Sequence, residues 1–249
     1  MILYKIKEPN IFIKCLKSLA TAGDELLLRF GNGITTFGKD PAGVFLYYAE
    51  FGDSLIEIIE DGKIDVFVSL ADLNKILKRF NTVDELTIGY NNSMVMIKIK
   101  VDNKRKTFKI RIVDGDLTEG LRENLEKLNL DTVFSINGSD LLDSIRDSEV
   151  YSDFLNIKVM NDVVRIWVNS VIGEMESDTI LDSPATADNH CSYSNVYLTK
   201  ILSSMTGTDI IVAFGNNMPI MIHNKISIDS YVKWYLAPRV DQDEDLEDD

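Results

Sequence analysis

A five-residue segment occurs twice in this chain, as LNKIL at residues 73–77 and as LTKIL at residues 198–202, 125 positions later. At the same offset Phe80 matches Met205, Asp84 matches Asp209, Asn91-Asn92 matches Asn216-Asn217, and Met96-Ile97 matches Met221-Ile222. An internal repeat of this kind constrains the fold more than any local propensity, because one supersecondary plan must serve both halves. Each copy reads as a short amphipathic helix, a turn, an apolar strand, an Asn-Asn turn and a second apolar strand. The start of the chain recurs as well: Phe134, Ile136, Leu141, Leu142 and Ile145 follow Tyr4, Ile6, Ile11, Phe12 and Cys15 at an offset of 130.

Between these anchors the pattern is that of strands with few helices. Residues 2–7 alternate as a strand, and Pro9 opens a helix at a position where proline is favoured. Ile11, Phe12, Cys15, Leu16 and Leu19 form its apolar stripe. Strands are predicted at 25–30 and 33–37, joined by Gly31-Asn32-Gly33, a hairpin signal. Others follow at 44–51, 55–59 and 65–69, then a helix at 70–80 and strands at 85–90, 94–101 and 106–113. Residues 114–131 are acidic and poor in strand signals, with leucines at 117, 121, 125 and 128, and read as a linker. The second half repeats the scheme with a strand and helix over 133–149. Strands follow at 154–160, 163–169 and 171–180, then a looser stretch at 181–191 containing Pro184. The second helix, its two strands and a last strand at 232–237 close it. The expected class is α+β, with two tandem domains of the same topology and two helices in each. The first domain is expected at 1–113, the connecting loop at 114–131, the second domain at 132–240 and an acidic disordered tail at 241–249.

Seven acids and no base fall in that tail, half of the net charge of −14. A like-charge run repels itself and resists folding. No apolar run approaches the roughly 20 residues that span a bilayer, and the N-terminus turns charged too soon for a secretory signal. Cys15 and Cys191 lie far apart without CxxC spacing, which argues against a disulfide framework. An acidic total excludes a surface that coats nucleic acid all round, and leaves room for a local basic face.

Four segments, in order along the repeat, carry a resemblance: DPAGV (40–44), LNKILKR (73–79), FGNNMP (214–219) and YLAPRV (235–240), the last followed by acids. With them the chain resembles DNA sliding clamps of the proliferating cell nuclear antigen (PCNA) type, most closely the archaeal ones. The resemblance runs from the first strand to Val240. It implies a ring of three subunits and six domains, with an outer sheet and helices lining a hole around duplex DNA. It also implies a scaffold without chemistry, a processivity factor that tethers DNA polymerase, flap nuclease and ligase through short motifs. A clamp loader would place it on DNA, in the cytoplasm of an archaeal-like cell or in a eukaryotic nucleus.

The residues allow the implied surfaces to be named. With the apolar stripes turned to the sheet, the first-half helices present Lys14, Lys17, Lys75, Lys78 and Arg79, the kind of cations that hold phosphates without reading sequence. A lysine-bearing face also serves solubility alone. In the second half Arg146 and Lys200 are the candidates, among Asp140, Asp143, Asp147 and Glu149. The resemblance places a client pocket at Val44, Leu46, Pro219, Tyr235, Leu236, Ala237 and Pro238, with Leu125 or Leu128 as a lid; Lys39 stands where the family usually has methionine. It places the subunit joint at strand 106–113 (Phe108, Ile110, Ile112) and strand 171–180 (Glu174, Met175, Ser177). No catalytic residue, cofactor, metal or membrane partner is expected: His190 and His223 stand outside any HxxEH, GxSxG or nucleotide-binding spacing. The alternative readings are a subunit of a hetero-oligomeric or checkpoint-type clamp and, more remotely, a metal-dependent hydrolase.

Overall fold

The computed structural model describes residues 1–19, 23–115, 121–203, 205 and 207–239; the acidic stretch 241–249 and Leu117 of the linker lie outside them. The chain divides into two compact units, Met1–Lys127 with Lys225–Lys233, and Leu128–Asn224 with Trp234–Asp249. The first contains β1 (Ile2–Ile6), α1 (Pro9–Leu19), β2 (Glu25–Phe30), β3 (Ile34–Lys39), β4 (Phe45–Phe51), β5 (Ile56–Glu60) and β6 (Ile64–Ser69). It continues through α2 (Leu70–Leu77), β7 (Glu85–Asn91), β8 (Met94–Val101), β9 (Lys104–Val113) and the short α3 (Leu121–Glu126). Its strands lie in the order β4-β3-β2-β6-β9-β8-β7-β1-β5.

One face of this sheet is sealed by α1 and α2. Phe12 of α1 meets Phe51 of β4 edge-on at 4.7 Å, and Tyr4 meets Phe30 at 5.4 Å. The Tyr4 hydroxyl donates to the Gly31 carbonyl at 2.6 Å, so the buried ring keeps its polar end satisfied. The seat of α1 is Phe12, Ile13, Leu16 and Leu19. This corrects the expected stripe: Ile11 is 42% exposed and Ile13 takes its place, because the buried arc is centred on Phe12 and Leu16. Helix α2 starts on a Ser69 cap whose Oγ accepts from the Asp72 N–H and stops at Leu77, short of the expected Phe80. The amides of Arg79 and Phe80 bond the carbonyls of Ile76 and Leu77, a tightened last turn that drops Phe80 into the core.

The turn signals act where backbone geometry demands them. Gly33 has φ +146°, and a Cβ there would lie 2.4 Å from the Phe51 carbonyl oxygen. Asn92 and Ser93 take φ of 50° and 60° between β7 and β8, the mirror-image turn whose twist suits a tight hairpin.

The second unit holds β10 (Thr132–Asn137), α4 (Gly138–Glu149), β11 (Phe154–Met160), β12 (Val163–Ser170), β13 (Gly173–Ile180), β14 (Asn189–Ser194) and α5 (Asn195–Leu202). After them come β15 (Asp209–Phe214), β16 (Ile220–Lys225) and β17 (Tyr231–Leu236), the last divided between the units. Strands β13-β12-β11-β14 form one sheet, and β10, β15 and β16 are neighbours in another. Tyr193, Phe134 and Phe214 interlock edge to face, and the Tyr193 hydroxyl donates to the Met218 carbonyl at 2.8 Å. Both copies of the repeated pentapeptide are helical, in α2 and α5. Strand β14 falls in a region read as loose; its buried Cys191 and Tyr193 alternate with polar residues that mask the pattern. Strand β13 starts at Gly173 rather than at 171, since Val171 and Ile172 form the exposed turn. No helix among the described residues is long and apolar enough to cross a membrane.

The segment Lys225–Lys233, expected in the second domain, belongs with the first unit. The Gly52 amide donates to Ser230 Oγ at 3.0 Å, and the Ser54 amide to Asp229 Oδ2 at 3.0 Å, while the Ser54 hydroxyl donates to Asp229 Oδ1. These bonds, with others from Ser227 and Ser230, hold the Asp229 carboxyl at a pKa of about 2, below its ordinary 3.8. A depressed carboxyl contributes stability that is present above its unfolded pKa and is lost as pH falls from there towards 2. Asp229→Asn should therefore lower the thermal midpoint at neutral pH, with the gap to the parent closing between about pH 4 and pH 2. Melting curves across that range check this; a gap independent of pH would contradict it.

Candidate nucleic-acid interface and partner surface

In the first unit α1 and α2 lie side by side on one face of the sheet. Lys14, Lys75, Lys78 and Arg79 are exposed. Lys17 is half-buried and donates from Nζ to the Phe80 carbonyl at 2.8 Å, which ties α1 to the turn after α2. Lys75 lies 2.9 Å from Asp72 Oδ1 in an exposed pair within α2, so its charge is partly answered at home. Four of the five expected cations thus stand in solvent, Lys14 on α1, Lys75 on α2, and Lys78 and Arg79 on the turn after α2, against which Lys17 brings α1.

Helices α4 and α5 are likewise adjacent. Arg146 and Lys200 are exposed, and Lys200 Nζ stands 5.3 Å from the Tyr197 ring centroid. Asp140, Asp143, Asp147 and Glu149 are exposed on α4, and Glu149 accepts from the Thr199 hydroxyl at 2.6 Å. The two helix pairs share a fold position and differ in charge.

The client-pocket residues divide between the units. In the first, the DPAGV turn is closed by its own aspartate: buried Asp40 accepts from the Phe45 amide at 2.8 Å, and the Gly43 amide, at φ +69°, donates to the Asp40 carbonyl at 3.0 Å. This turn holds Val44 half-buried before β4. Along β4, Phe45, Tyr47, Ala49 and Phe51 point to the helix side, so Leu46, Tyr48 and Glu50 occupy the opposite face. There Leu27, Phe37 and Tyr48 form a cluster against which Leu46, Phe67, Tyr231 and Leu121 of α3 pack. Glu50 accepts from both tyrosine hydroxyls, at 3.1 Å from Tyr48 and 2.9 Å from Tyr231. A cavity of about 260 Å³ opens beside it, with Leu27, Phe37, Phe67 and Leu121 in its lining and Lys39 and Asp40 among its polar groups. Leu125 is half-buried.

Sequence reasoning missed this outer cluster. Its signal was present in Leu26-Leu27-Leu28, an unbroken apolar run that only a sheet covered on both faces accommodates. In the second unit Leu128, Pro219, Ala237 and Pro238 are half-buried, and Tyr235 is buried. Leu236 is 0% exposed and is a core residue, so it offers nothing to a partner. Pro219 and Pro238 stand just outside β16 and β17, where a residue without an N–H does no harm to a ladder.

The expected joint residues fall on two strands with unmatched edges. Only Ile112 and Val113 of β9 pair with β6; otherwise β9 pairs with β8 alone, and β13 pairs with β12 alone, among the described residues. Phe108 is half-buried against Phe80 at 5.8 Å, and Ile112 is exposed, but Ile110 is buried in its own unit. Glu174 is exposed, Met175 is half-buried, and Ser177 shares a hydrogen bond of 2.9 Å with Ser144 of α4.

His190 and Cys191 are consecutive in β14, so their side chains leave opposite faces of the sheet and cannot share a ligand. Cys15 is buried, which pushes its thiol up to about 12; a thiol held protonated is a poor nucleophile.

No family model matches the chain. Its sequence is 27% identical over 218 residues to the DNA polymerase sliding clamp of Cenarchaeum symbiosum, covering 84% of this chain and 86% of that one. To DNA polymerase sliding clamp 2 of Sulfolobus acidocaldarius it is 25% identical over 245 residues, covering 94% and 98%. The fold matches the crystal structure of PCNA from Thermococcus kodakaraensis with a TM-score of 0.87 at 16% identity, over 96% of this chain and all of that one. It matches PCNA from Entamoeba histolytica with a TM-score of 0.82 at 18% identity, over 96% and 99%. The sequence likeness, along nearly the whole of both chains and on a fold shared end to end, is to archaeal DNA polymerase sliding clamps and to the PCNA fold.

Proposed function

We propose that this protein is a DNA polymerase processivity factor: a scaffold without catalysis that encircles duplex DNA and tethers replication and repair enzymes to it. The observation that carries this reading is the exposed cation set of α1 and α2, on a chain whose relatives are named DNA polymerase sliding clamps. Lys14, Lys75, Lys78 and Arg79 are long, solvated side chains suited to moving from phosphate to phosphate. Contacts of that kind position a duplex without reading its sequence, which a sliding protein requires. Three chains joined edge to edge would present these helices around the duplex, with Arg146 and Lys200 as a weaker contribution from the second unit. The protein works wherever the chromosome lies, which is the cytoplasm in a cell without a nucleus.

Clients would engage half-buried apolar positions through short motifs: Val44 and Leu46 in the first unit, Pro219, Ala237 and Pro238 in the second, with Leu125 and Leu128 from the connecting stretch. Small anchored pockets concentrate binding energy in a few residues, and tethering converts a client's encounter with the primer end into a local event. DNA polymerase, clamp loader, flap nuclease and ligase are the proposed clients.

Two measurements test the two surfaces. Replacing Lys14, Lys78 and Arg79 by Glu should reduce the slope of log affinity for duplex against log salt by about three, and shorten the products of a clamp-dependent polymerase. An unaltered slope and product length would remove these residues from the DNA face. Separately, Val44→Ala with Pro238→Ala should weaken binding of a peptide carrying a clamp-binding motif by about tenfold or more, without changing self-association. Calorimetric titration giving the parental affinity would refute the client assignment.

A further inference from the structure

The duplicated plan is broken at one place. In the first unit β1 lies between β7 and β5 and pairs antiparallel with both. Its counterpart in the second unit, β10, pairs with β15 alone among the described residues. β15 stands where β7 stands, but no strand stands where β5 does: after β13 the stretch 181–188 forms no strand before β14.

The local sequence accounts for the difference. Leu55 and Leu181, both buried, occupy matching points 126 positions apart. After Leu55 the run Ile56-Glu57-Ile58-Ile59 is rich in β-branched residues and extends as β5. After Leu181 comes Asp182-Ser183-Pro184, which is turn chemistry, and the proline has no N–H for a ladder. The stretch meets β10 only at Val133. There the Thr186 amide donates to the Val133 carbonyl at 3.1 Å, and the Val133 amide donates to the Thr186 hydroxyl at 2.7 Å.

The rest of that edge is open. Antiparallel alternation aims the backbone groups of Ser135 and Asn137 to the same side as those of Val133, away from β15. Their equivalents in the first unit, at the offset of 130, are Lys5 and Lys7. Lys5 pairs with Glu57 of β5, and the Lys7 amide donates to the Leu55 carbonyl at 2.8 Å. The Ser135 amide and carbonyl and the Asn137 amide have no such partner among the described residues. A cavity of about 450 Å³ runs along them, walled on its far side by residues 179–184, a size within the roughly 300–1,000 Å³ of ligand-binding clefts.

We infer that this edge is a docking site for an extended, cationic segment of a partner protein, which adds to β10 as β5 adds to β1. Backbone bonds to Ser135 and Asn137 hold such a strand whatever its sequence, and its alternate side chains select it. The walls state the selection. Asp140, Asp182 and Asp209 are exposed, and no lysine or arginine lines the cavity. Asp209 takes only the Asn137 side-chain amide, at 3.2 Å, and none of the three acids has an ion pair among the described residues. Beside them Ile180 is 77% exposed and Ile211 37% exposed, which suits apolar residues alternating with the cations. The chain's own tail does not fit, because its seven acids would meet three more. The inference goes beyond the clamp reading, since none of the client positions named above lines this cavity.

The test titrates the full chain into a fluorescent peptide of alternating lysine and valine. One control peptide has glutamate for lysine, and another has every amide N-methylated, which keeps the charge and removes the ladder donors. The lysine peptide should bind, and both controls should bind about tenfold or more weaker. Hydrogen exchange should find the amides of Ser135 and Asn137 open in the free chain and protected once the peptide is added, with those of Phe134 and Ile136 protected throughout. Ser135→Pro removes a donor on the open side, where proline is tolerated, and should weaken binding about tenfold. Ser135→Ala loses only the hydroxyl bond to the Ile210 carbonyl and should bind as the parent does. Asp140→Lys with Asp182→Lys should abolish the preference for lysine over glutamate. The inference is overturned by a lysine peptide that fails to bind below about 1 mM, by equal binding of the N-methylated peptide, or by protection of both edge amides in the free chain. Self-association of the parent that Ser135→Pro abolishes would also overturn it, by making a second copy the occupant. Polymerase stimulation reads the clamp function separately, so either result can fail without the other.

Discussion

A sheet edge presents a row of backbone N–H and C=O groups that another strand will take up if nothing prevents it, and among the described residues β13 and residues 104–111 of β9 each have a neighbouring strand on one side alone. Proline, one of the usual protections of such an edge, is absent from both strands. What each has instead is a run of one sign of charge. Like charges directly opposed are unfavourable, so β9 is discouraged from pairing with another β9, and β13 with another β13. Opposite charges across a pair contribute roughly 0.2–1 kcal/mol each and are screened beyond about 8 Å at physiological salt. No single pair decides the matter. In the proposed ring the row as a whole would favour β9 against β13 over two like edges, and the backbone ladder would supply the adhesion.

The two halves of the duplicated plan differ in charge. Each half seats two helices on a sheet, and each keeps the lysine of the LxKIL helix, Lys75 or Lys200. The first half adds Lys14, Lys78 and Arg79 in solvent, where a polyanion is to be met. The second half instead exposes Asp140, Asp143, Asp147 and Glu149 on α4, the helix whose Ser144 is hydrogen-bonded to Ser177 of β13. Identical architecture thus carries two different charge patterns, and under the proposed function a duplex would be met by the local cations of the first half despite the net acidity of the chain.

The repeat was legible because helices and strands bury their apolar residues at fixed spacing: Leu73 and Leu77, and Leu198 and Leu202, are buried in both copies. The Asn-Asn turns were legible because few residues tolerate positive φ. Other features were hidden for physical reasons. Strand β14 alternates buried and polar residues within an asparagine- and serine-rich stretch. The outer aromatic cluster of Phe37, Tyr48 and Tyr231 joins residues almost 200 positions apart, and only the folded sheet assembles it. Helix α3 anchors one linker leucine, Leu121, on that cluster, whereas spacing alone left all four leucines equivalent. The assignment of Lys225–Lys233 to the first unit depends on Asp229 and Ser230, two polar residues whose partners at Gly52 and Ser54 no periodicity announces. Among the site residues, the helix cations were readable from amphipathicity, while the burial of Leu236 and Ile110 was not.

The proposed hold on DNA is topological: the protein would surround the duplex rather than grip it. The direct measurement is retention on DNA after loading by a clamp loader onto a nicked circular plasmid, followed by a high-salt wash and then by cutting the circle. The account predicts that the protein survives the wash on the closed circle and is released when the plasmid is made linear. Equal retention on circular and linear DNA, or complete loss from the circle in high salt, would contradict it.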